Sequence, residues 1–221
     1  DGNDCPLDMC GTPPSGGPIA CQHNPLGFGA TCDDGSPCTQ FDSCDNTGQC
    51  IGSYPQLDCR QAGAASIIIR NNAQNSRDLV DFKWGKGAAV ELFELGDPRA
   101  TTDYTLCLFD GNGRLKLSAS VPAGGQCGDN ECWKATGKGY QYADKLRLAD
   151  GIGKIALASG AAGKSQIQVR GQGRFLSLPT LPLAGGTTRV QVINDETGVC
   201  FDAQFSAPKS NNEKKFQAKT P

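Results

Sequence analysis

Cys32, Cys38, Cys44 and Cys50 follow one another with five residues between each pair, in the segment GATCDDGSPCTQFDSCDNTGQCIG. Thiols spaced through turn-forming Gly, Asp, Asn and Pro can cross-link, or as thiolates they can hold a soft metal. Metal sites built on thiolates usually recruit CxxC pairs or histidines, and the chain has no CxxC and a single histidine, His23. Twelve cysteines in 221 residues therefore read as disulfides formed outside a reducing cytosol. Carboxylate is the second reactive group. Eight aspartates and no Lys or Arg fall within the first 59 residues, the first cation being Arg60. Carboxylates without neighbouring cations suit either a hard divalent ion or a basic protein surface.

Cys5, Cys10, Cys21, Cys32, Cys38, Cys44, Cys50 and Cys59 are expected to pair among themselves in an acidic cysteine-rich module, residues 1–59. So short a segment cannot build an apolar core, and bridges of about 2–4 kcal/mol each take its place. Its start, CPLDMCGTPPSGGPIAC, has no periodicity and reads as extended chain. Residues 60–221 carry all 21 Lys and Arg against 15 acidic residues, so a total charge of −2 conceals halves of opposite sign. They end in a basic tail, APKSNNEKKFQAKTP, that composition marks as mobile.

From Ser66 onward apolar residues alternate with polar ones. In LVDFKW, Val80, Phe82 and Trp84 share one face, and in SQIQVR, Ile167 and Val169 do. Further strands are expected at 88–95, 103–109, 114–121, 140–148, 153–158, 187–193 and 198–206, nine or ten in all. The fold class is all-β: an antiparallel β-sandwich, jelly-roll or immunoglobulin-like, over residues 60–221, preceded by a small disulfide-rich module with little regular secondary structure. Asp110-Gly111-Asn112-Gly113 reads as a hairpin turn. Cys127 and Cys132 enclose only four residues and are expected to bridge locally, which leaves Cys107 with Cys200, a bridge between neighbouring strands.

CDDGSPCTQFDSCDNTGQCIG resembles the CxDGxxCTxxDxCxxGxC cysteine-rich repeat, which is similar to EGF-like and disintegrin-type modules of secreted and surface proteins, many of them bacterial. The resemblance covers Gly29 to Gly52. The stretches KWGKGAAVELFELGDPRATTDYTLCLFD, VPAGGQCGDNECWKATGKG and FSAP resemble an uncharacterised β domain that accompanies such repeats, and this second resemblance implies no activity. Some related modules bind calcium, which implies Asp33, Asp34 and Asp42 as oxygen ligands, with Asp45 as a further candidate. The alternative use of Asp33, Asp34 and Asp45 is in Asx-turns that shape the loops.

Several activities find no support. ASGAAGKS, residues 158–165, fits a relaxed P-loop pattern, but QIQVRG follows it and alternates as a strand where a phosphate cradle needs a helix N-terminus. No nucleophilic triad can be assembled around His23, and Glu91 and Glu94, taken as strand residues, fall on opposite faces. The chain reads as no enzyme. Cations spread without an aromatic-interleaved cluster argue against nucleic acid, and no apolar run is long enough to span a membrane. A chain beginning at Asp1 without a signal-like segment fits a processed secreted protein. Trp133, Tyr140 and Tyr142 are the candidates for stacking on sugar rings.

The expected function is that of a secreted structural protein whose copies join head to tail into an extracellular fibre or surface layer. The alternative is a calcium-assisted adhesin that binds carbohydrate or matrix. Copies of the chain itself are the expected partner, extracellular glycans the second, and calcium the one cofactor considered.

Overall fold

The computed structural model describes residues 5–11, 20–25, 27–52 and 54–220, with backbone alone for 6–11 and 20–25. The chain divides into two compact units, Asp1–Pro55 and Gln56–Pro221. Their formal charges differ as sharply as the sequence suggested: the first contains seven Asp and no Lys, Arg or Glu, and the second all 21 cations against 16 acidic residues.

The larger unit contains two main sheets, a short ladder of Gln126–Cys127 with Asn130–Glu131 and, among the described residues, no α-helix. We number its main strands β1 (Arg60–Gln61), β2 (Ala64–Arg70), β3 (Leu79–Gly85), β4 (Tyr104–Phe109), β5 (Leu115–Val121), β6 (Trp133–Thr136), β7 (Gly139–Ala143), β8 (Ile152–Ala158), β9 (Gln166–Gln172), β10 (Thr188–Asn194), β11 (Cys200–Phe205), β12 (Ser210–Asn212) and β13 (Lys215–Lys219). One sheet has eight strands in the order β6-β7-β8-β9-β3-β2-β13-β12, all antiparallel. The other has five, β5-β4-β10-β11-β1, antiparallel except for the last pair.

Alternation builds the core. Ile67 and Ile69 of β2, Val80, Phe82 and Trp84 of β3, and Ile167 and Val169 of β9 face inward from the eight-stranded sheet; Leu117, Ala119 and Val121 of β5 and Phe201, Ala203 and Phe205 of β11 do so from the five-stranded one. All belong to a single buried cluster. Trp84 links the sheets: its ring meets Phe201 edge-on at 5.3 Å, and its indole N–H donates to the carbonyls of Asp202 (3.1 Å) and Arg60 (3.2 Å). Burying so large a ring is favourable only if its polar N–H finds an acceptor, and here it does.

Four sequence expectations change. Residues 88–95 do not form a strand; Leu92–Leu95 is a 3-10 turn, held by a capping box in which the Glu94 carboxylate accepts the Glu91 N–H at 2.7 Å. Glu94 also pairs with Arg60, so Glu91 and Glu94 are structural partners and not strand residues on opposite faces. Residues 144–148 lie outside the strand expected at 140–148, because β7 ends at Ala143. The basic tail folds: β13 pairs with β2, and Phe216 and Ala218 enter the core, which supplies the apolar anchor that composition understated.

The fourth correction concerns disulfides. Cys107 and Cys200 lie on β4 and β11, with β10 between them; Cys107 faces Gln191 and Cys200 faces Ile193. Strands two places apart are separated by about 9.6 Å, beyond the Cα reach of a disulfide. Cys200 is bridged to Cys59 instead, at a Cα separation of 4.7 Å. Cys59 therefore belongs to the larger unit and not to the acidic head. The residues before it follow: Gln56 exchanges reciprocal hydrogen bonds with the buried Gln191 side chain, at 3.1 and 2.8 Å. Cys127 and Cys132 bridge each other, and Cys107 is disulfide-bonded.

Within the smaller unit, backbone 6–11 and 20–25 is extended and pairs antiparallel, with Cys10 opposite Cys21. The side-chain bonding expected of Cys10 and Cys21 lies outside the described residues. Cys5–Cys44 and Cys32–Cys50 are bridged, and Cys38 is disulfide-bonded. Ten described cysteines in disulfides indicate an oxidising environment.

Candidate metal centre

Two bridges stake out one loop of the head. Cys32–Cys50 and Cys5–Cys44 fix the chain immediately before Asp33 and two residues after Asp42. Thr31 forms a β-bridge with Ser43, and the Cys32 N–H donates to the Asp42 carbonyl at 3.2 Å. Asp33, Asp34 and Asp42, distant by up to nine positions in sequence, are thereby brought together with one carboxylate oxygen of each inside a 4.8 Å cluster.

The three carboxylates differ in surroundings. Asp33 Oδ1 accepts the Gly35 N–H at 2.8 Å, and Asp34 Oδ1 accepts the Ser36 N–H at 2.9 Å; both are Asx-turns, as the structural alternative anticipated. Asp34 also accepts the Thr39 hydroxyl, at 3.1 Å on Oδ1. Both aspartates are exposed, whereas Asp42 is only 7% exposed. Asp42 Oδ2 accepts the Asp34 N–H at 3.1 Å, but the buried Oδ1 has no hydrogen-bond donor among the described residues. Burial is the main influence raising the Asp42 pKa; the Asp34 N–H opposes it, and the carboxylates of Asp34 and Asp33 add to it.

Two residues that sequence reading passed over shape the site. Thr39 orients Asp34. Gly52 leaves the room beside it: a Cβ at Gly52 would overlap the Thr39 side chain and crowd Asp34 Oδ2. Their signals were the Cys-Thr step and the glycine that closes the repeat. Asp45 takes no part in the cluster; its Oδ1 accepts the Thr47 hydroxyl (2.7 Å) and the N–H groups of Thr47 (2.8 Å) and Gln49 (2.9 Å). Those bonds, the Thr47 hydroxyl foremost, lower its pKa. The sulfurs of Cys5, Cys32 and Cys44 also lie close together, but all are in disulfides and offer no thiolate.

Comparison with family models, curated proteins and solved structures finds no match to this chain. Its chemistry is therefore read from its own residues.

The remaining candidate sites resolve as structure. Trp133 and Tyr142, proposed to stack on sugars, are 1% and 3% exposed; they pack against each other at 5.2 Å, and the Trp133 indole N–H donates to the Pro122 carbonyl at 3.0 Å. Tyr140 is half-buried with the Arg99 guanidinium 5.7 Å over its ring. The three rings offer no stacking platform, because two of them are core residues. Residues 159–165 join β8 to β9 as a hairpin, and the buried Ser165 hydroxyl donates to the Ala88 carbonyl at 2.6 Å, which excludes the phosphate-loop reading. In the Asp110–Gly113 turn, Asp110 Oδ1 accepts the N–H groups of Asn112 (2.9 Å) and Arg114 (3.1 Å), while Oδ2 lies 3.3 Å from Lys116. Burial alone would raise the Asp110 pKa, but these bonds outweigh it and lower the value.

Proposed function

We propose that the chain is a secreted, non-enzymatic structural protein whose copies associate head to tail through opposite charge, building an extracellular fibre or surface layer. The partition of charge carries this reading: Asp1–Pro55 holds seven aspartates and no cation, while Gln56–Pro221 holds every Lys and Arg. A contact between unlike surfaces repeats without closing unless its rotation happens to make a ring, and so favours a filament. Disulfides suit such a unit, since each restrains unfolding.

Gln56–Pro221 is read as a Greek-key β-sandwich of jelly-roll or immunoglobulin kind, supported by hairpins that alternate between the two sheets along the chain: β2-β3 in one, β4-β5 in the other, β8-β9 back in the first, β10-β11 in the second. Gly29–Gly52 is read as a cysteine-rich repeat of the secreted bacterial type, with a location outside the cell or on its surface. Because β13 already completes its own sheet, the C-terminal segment is not a spare strand to donate, and the joint is one of charged surfaces.

Charge-driven contacts weaken as the screening length falls, from about 30 Å at 0.01 M salt to about 3 Å at 1 M. Electron microscopy and sedimentation of the protein with intact disulfides should show chains of particles at low salt that come apart at high salt. Single particles at every salt and protein concentration would end the proposal.

A further inference from the structure

We infer, on the self-assembly proposed for this chain, that the joint forms where the Phe41 ring of one head seats in a basic hollow on the outer face of the next copy's eight-stranded sheet. In the strands β8, β9, β3, β2 and β13, Ile155, Val169, Phe82, Ile67 and Phe216 turn to the core. By alternation Lys154, Arg170, Lys83, Arg70, Lys215 and Lys219 lie on the opposite face. Asp81 is the one carboxylate among the outward residues of these strands, and it accepts the Gln168 amide at 3.1 Å. None of these cations is in an ion pair among the described residues. Lys154 stands directly opposite Arg170, and Lys215 opposite Arg70. Like charges so placed repel and weaken a sheet. Lysines on edge strands ward off stray pairing, but β8, β9, β3 and β2 are interior strands. Repulsion maintained in the middle of a sheet suits the face to an anionic partner.

The same face holds a hollow of about 550 Å3, lined by Ala64, Ser66, Ala156 and Ala158, whose short side chains leave the room, and by Lys83 and Lys219. It therefore suits a compact apolar group carried on an acidic surface. The head supplies both. Asp1–Pro55 holds seven aspartates and no cation, and within it Phe41 stands 68% exposed at a φ of 56°. A bulky residue seldom adopts the left-handed region, and a ring left in water forgoes the gain of burial, so both features of Phe41 are unfavourable within a single copy. Seated in the hollow, the ring leaves water while the aspartates of its unit approach Lys83 and Lys219. Charge draws the surfaces together and the ring sets their register. Knob and hollow belong to different units, so each copy offers both and the contact repeats from one copy to the next.

The test is sedimentation of the full chain at low salt with disulfides intact. Lys83→Glu should weaken association roughly tenfold, and Arg114→Glu, the same change of charge at the exposed turn between β4 and β5, far less. Phe41→Asn removes the ring and relaxes the backbone, because Asn tolerates the left-handed region; association should fall roughly tenfold while the melting temperature of the head holds or rises. Mixing the two weakened variants should give dimers that grow no further, since Lys83→Glu copies keep a working knob and Phe41→Asn copies a working hollow. Association that survives both substitutions, a loss no larger for Lys83→Glu than for Arg114→Glu, or a mixture without dimers would overturn the inference and leave self-assembly standing. A parent protein that never associates would end both. Assembly indifferent to these variants, with binding to polygalacturonate lost in Lys83→Glu, would assign the face to an anionic polymer instead.

Discussion

The acidic head and the β unit solve the same problem, holding a chain in one shape, with different materials. In the head the fully buried side chains include Cys5, Cys38 and Cys44, while Phe28, Phe41 and Tyr54 stand exposed, Phe28 by 81%. In Gln56–Pro221 the ratio reverses: Trp84, Trp133, Phe82 and Phe205 are buried, and covalent links supplement a core that alternating strands already provide. Sulfur replaces hydrophobic burial where too little chain is available to enclose a core. The exchange has a chemical consequence. A head shaped by bridges leaves Asp42 Oδ1 without a donor among the described residues; Asp110 Oδ2 and both Asp202 carboxylate oxygens of the β unit lack one too, but there a cation lies close by, Lys116 3.3 Å from Asp110 and Arg189 3.3 Å from Asp202.

Four experiments press on this contrast. The Cys59–Cys200 bridge closes a separation of 141 residues, against 18 for Cys32–Cys50. Chain entropy alone puts its loss at roughly 5 kcal/mol, against roughly 3 for the shorter loop. Replacing both members of each pair with Ala should therefore lower global stability more in the β unit, yet abolish protected structure only in the head. Denaturant melts combined with limited proteolysis would show this. A head that survives loss of Cys32–Cys50 would break the comparison.

Aromatic truncation should give the opposite ranking. Trp84→Ala removes a ring packed on Phe201 together with an indole hydrogen bond, and should cost about 3–5 kcal/mol. Phe28→Ala, at an exposed position of the head, should change stability by less than about 0.5 kcal/mol. Both values follow from urea unfolding monitored by circular dichroism.

Gly52→Ala tests how closely the head's loops fit. The added methyl would meet Thr39 and Asp34 Oδ2, and such overpacking costs about 1–3 kcal/mol. Thermal unfolding of the head should shift downward. An Ala variant as stable as the parent would show that the loop has slack.

The smallest effect is in pH dependence. Asp195 is exposed as a residue, but its carboxylate takes a 2.7 Å hydrogen bond from the buried Thr105 hydroxyl. Partial withdrawal from water raises its pKa to about 6; the Thr105 bond opposes the rise and the Asp103 charge adds to it. The native state thus holds this proton more tightly than the unfolded chain. Its contribution to stability is full below the ordinary carboxyl range near pH 4, and is lost as pH rises from about 4 to about 6. Asp195→Asn keeps an acceptor for Thr105 and should flatten that slope, as measured by melting temperature against pH.

Much of the β unit was legible because its signal is local. Val80, Phe82 and Trp84 alternate with Leu79, Asp81 and Lys83, and a strand's two-residue period converts that pattern directly into an inward and an outward face. The Asp110–Gly113 turn and the short Cys127–Cys132 loop were equally readable, since both involve residues within a few positions of one another. At the candidate site, the carboxylates and the absence of cations stood in the sequence. The unequal burial of Asp42 did not, because it depends on the Thr31–Ser43 bridge and on which cysteines join.

Sequence by itself determined that this molecule is all-β, cross-linked by sulfur and divided into halves of opposite charge, for these follow from residue type and short-range period. Only tertiary structure decided that β10 separates Cys107 from Cys200, that Cys59 takes Cys200, that the basic tail becomes a strand beside β2, and that Trp133 and Tyr142 are core. The physical reason is the same each time. Local pattern fixes the direction in which a side chain points, whereas its partner is set by whichever distant segment the packed sheets bring opposite it.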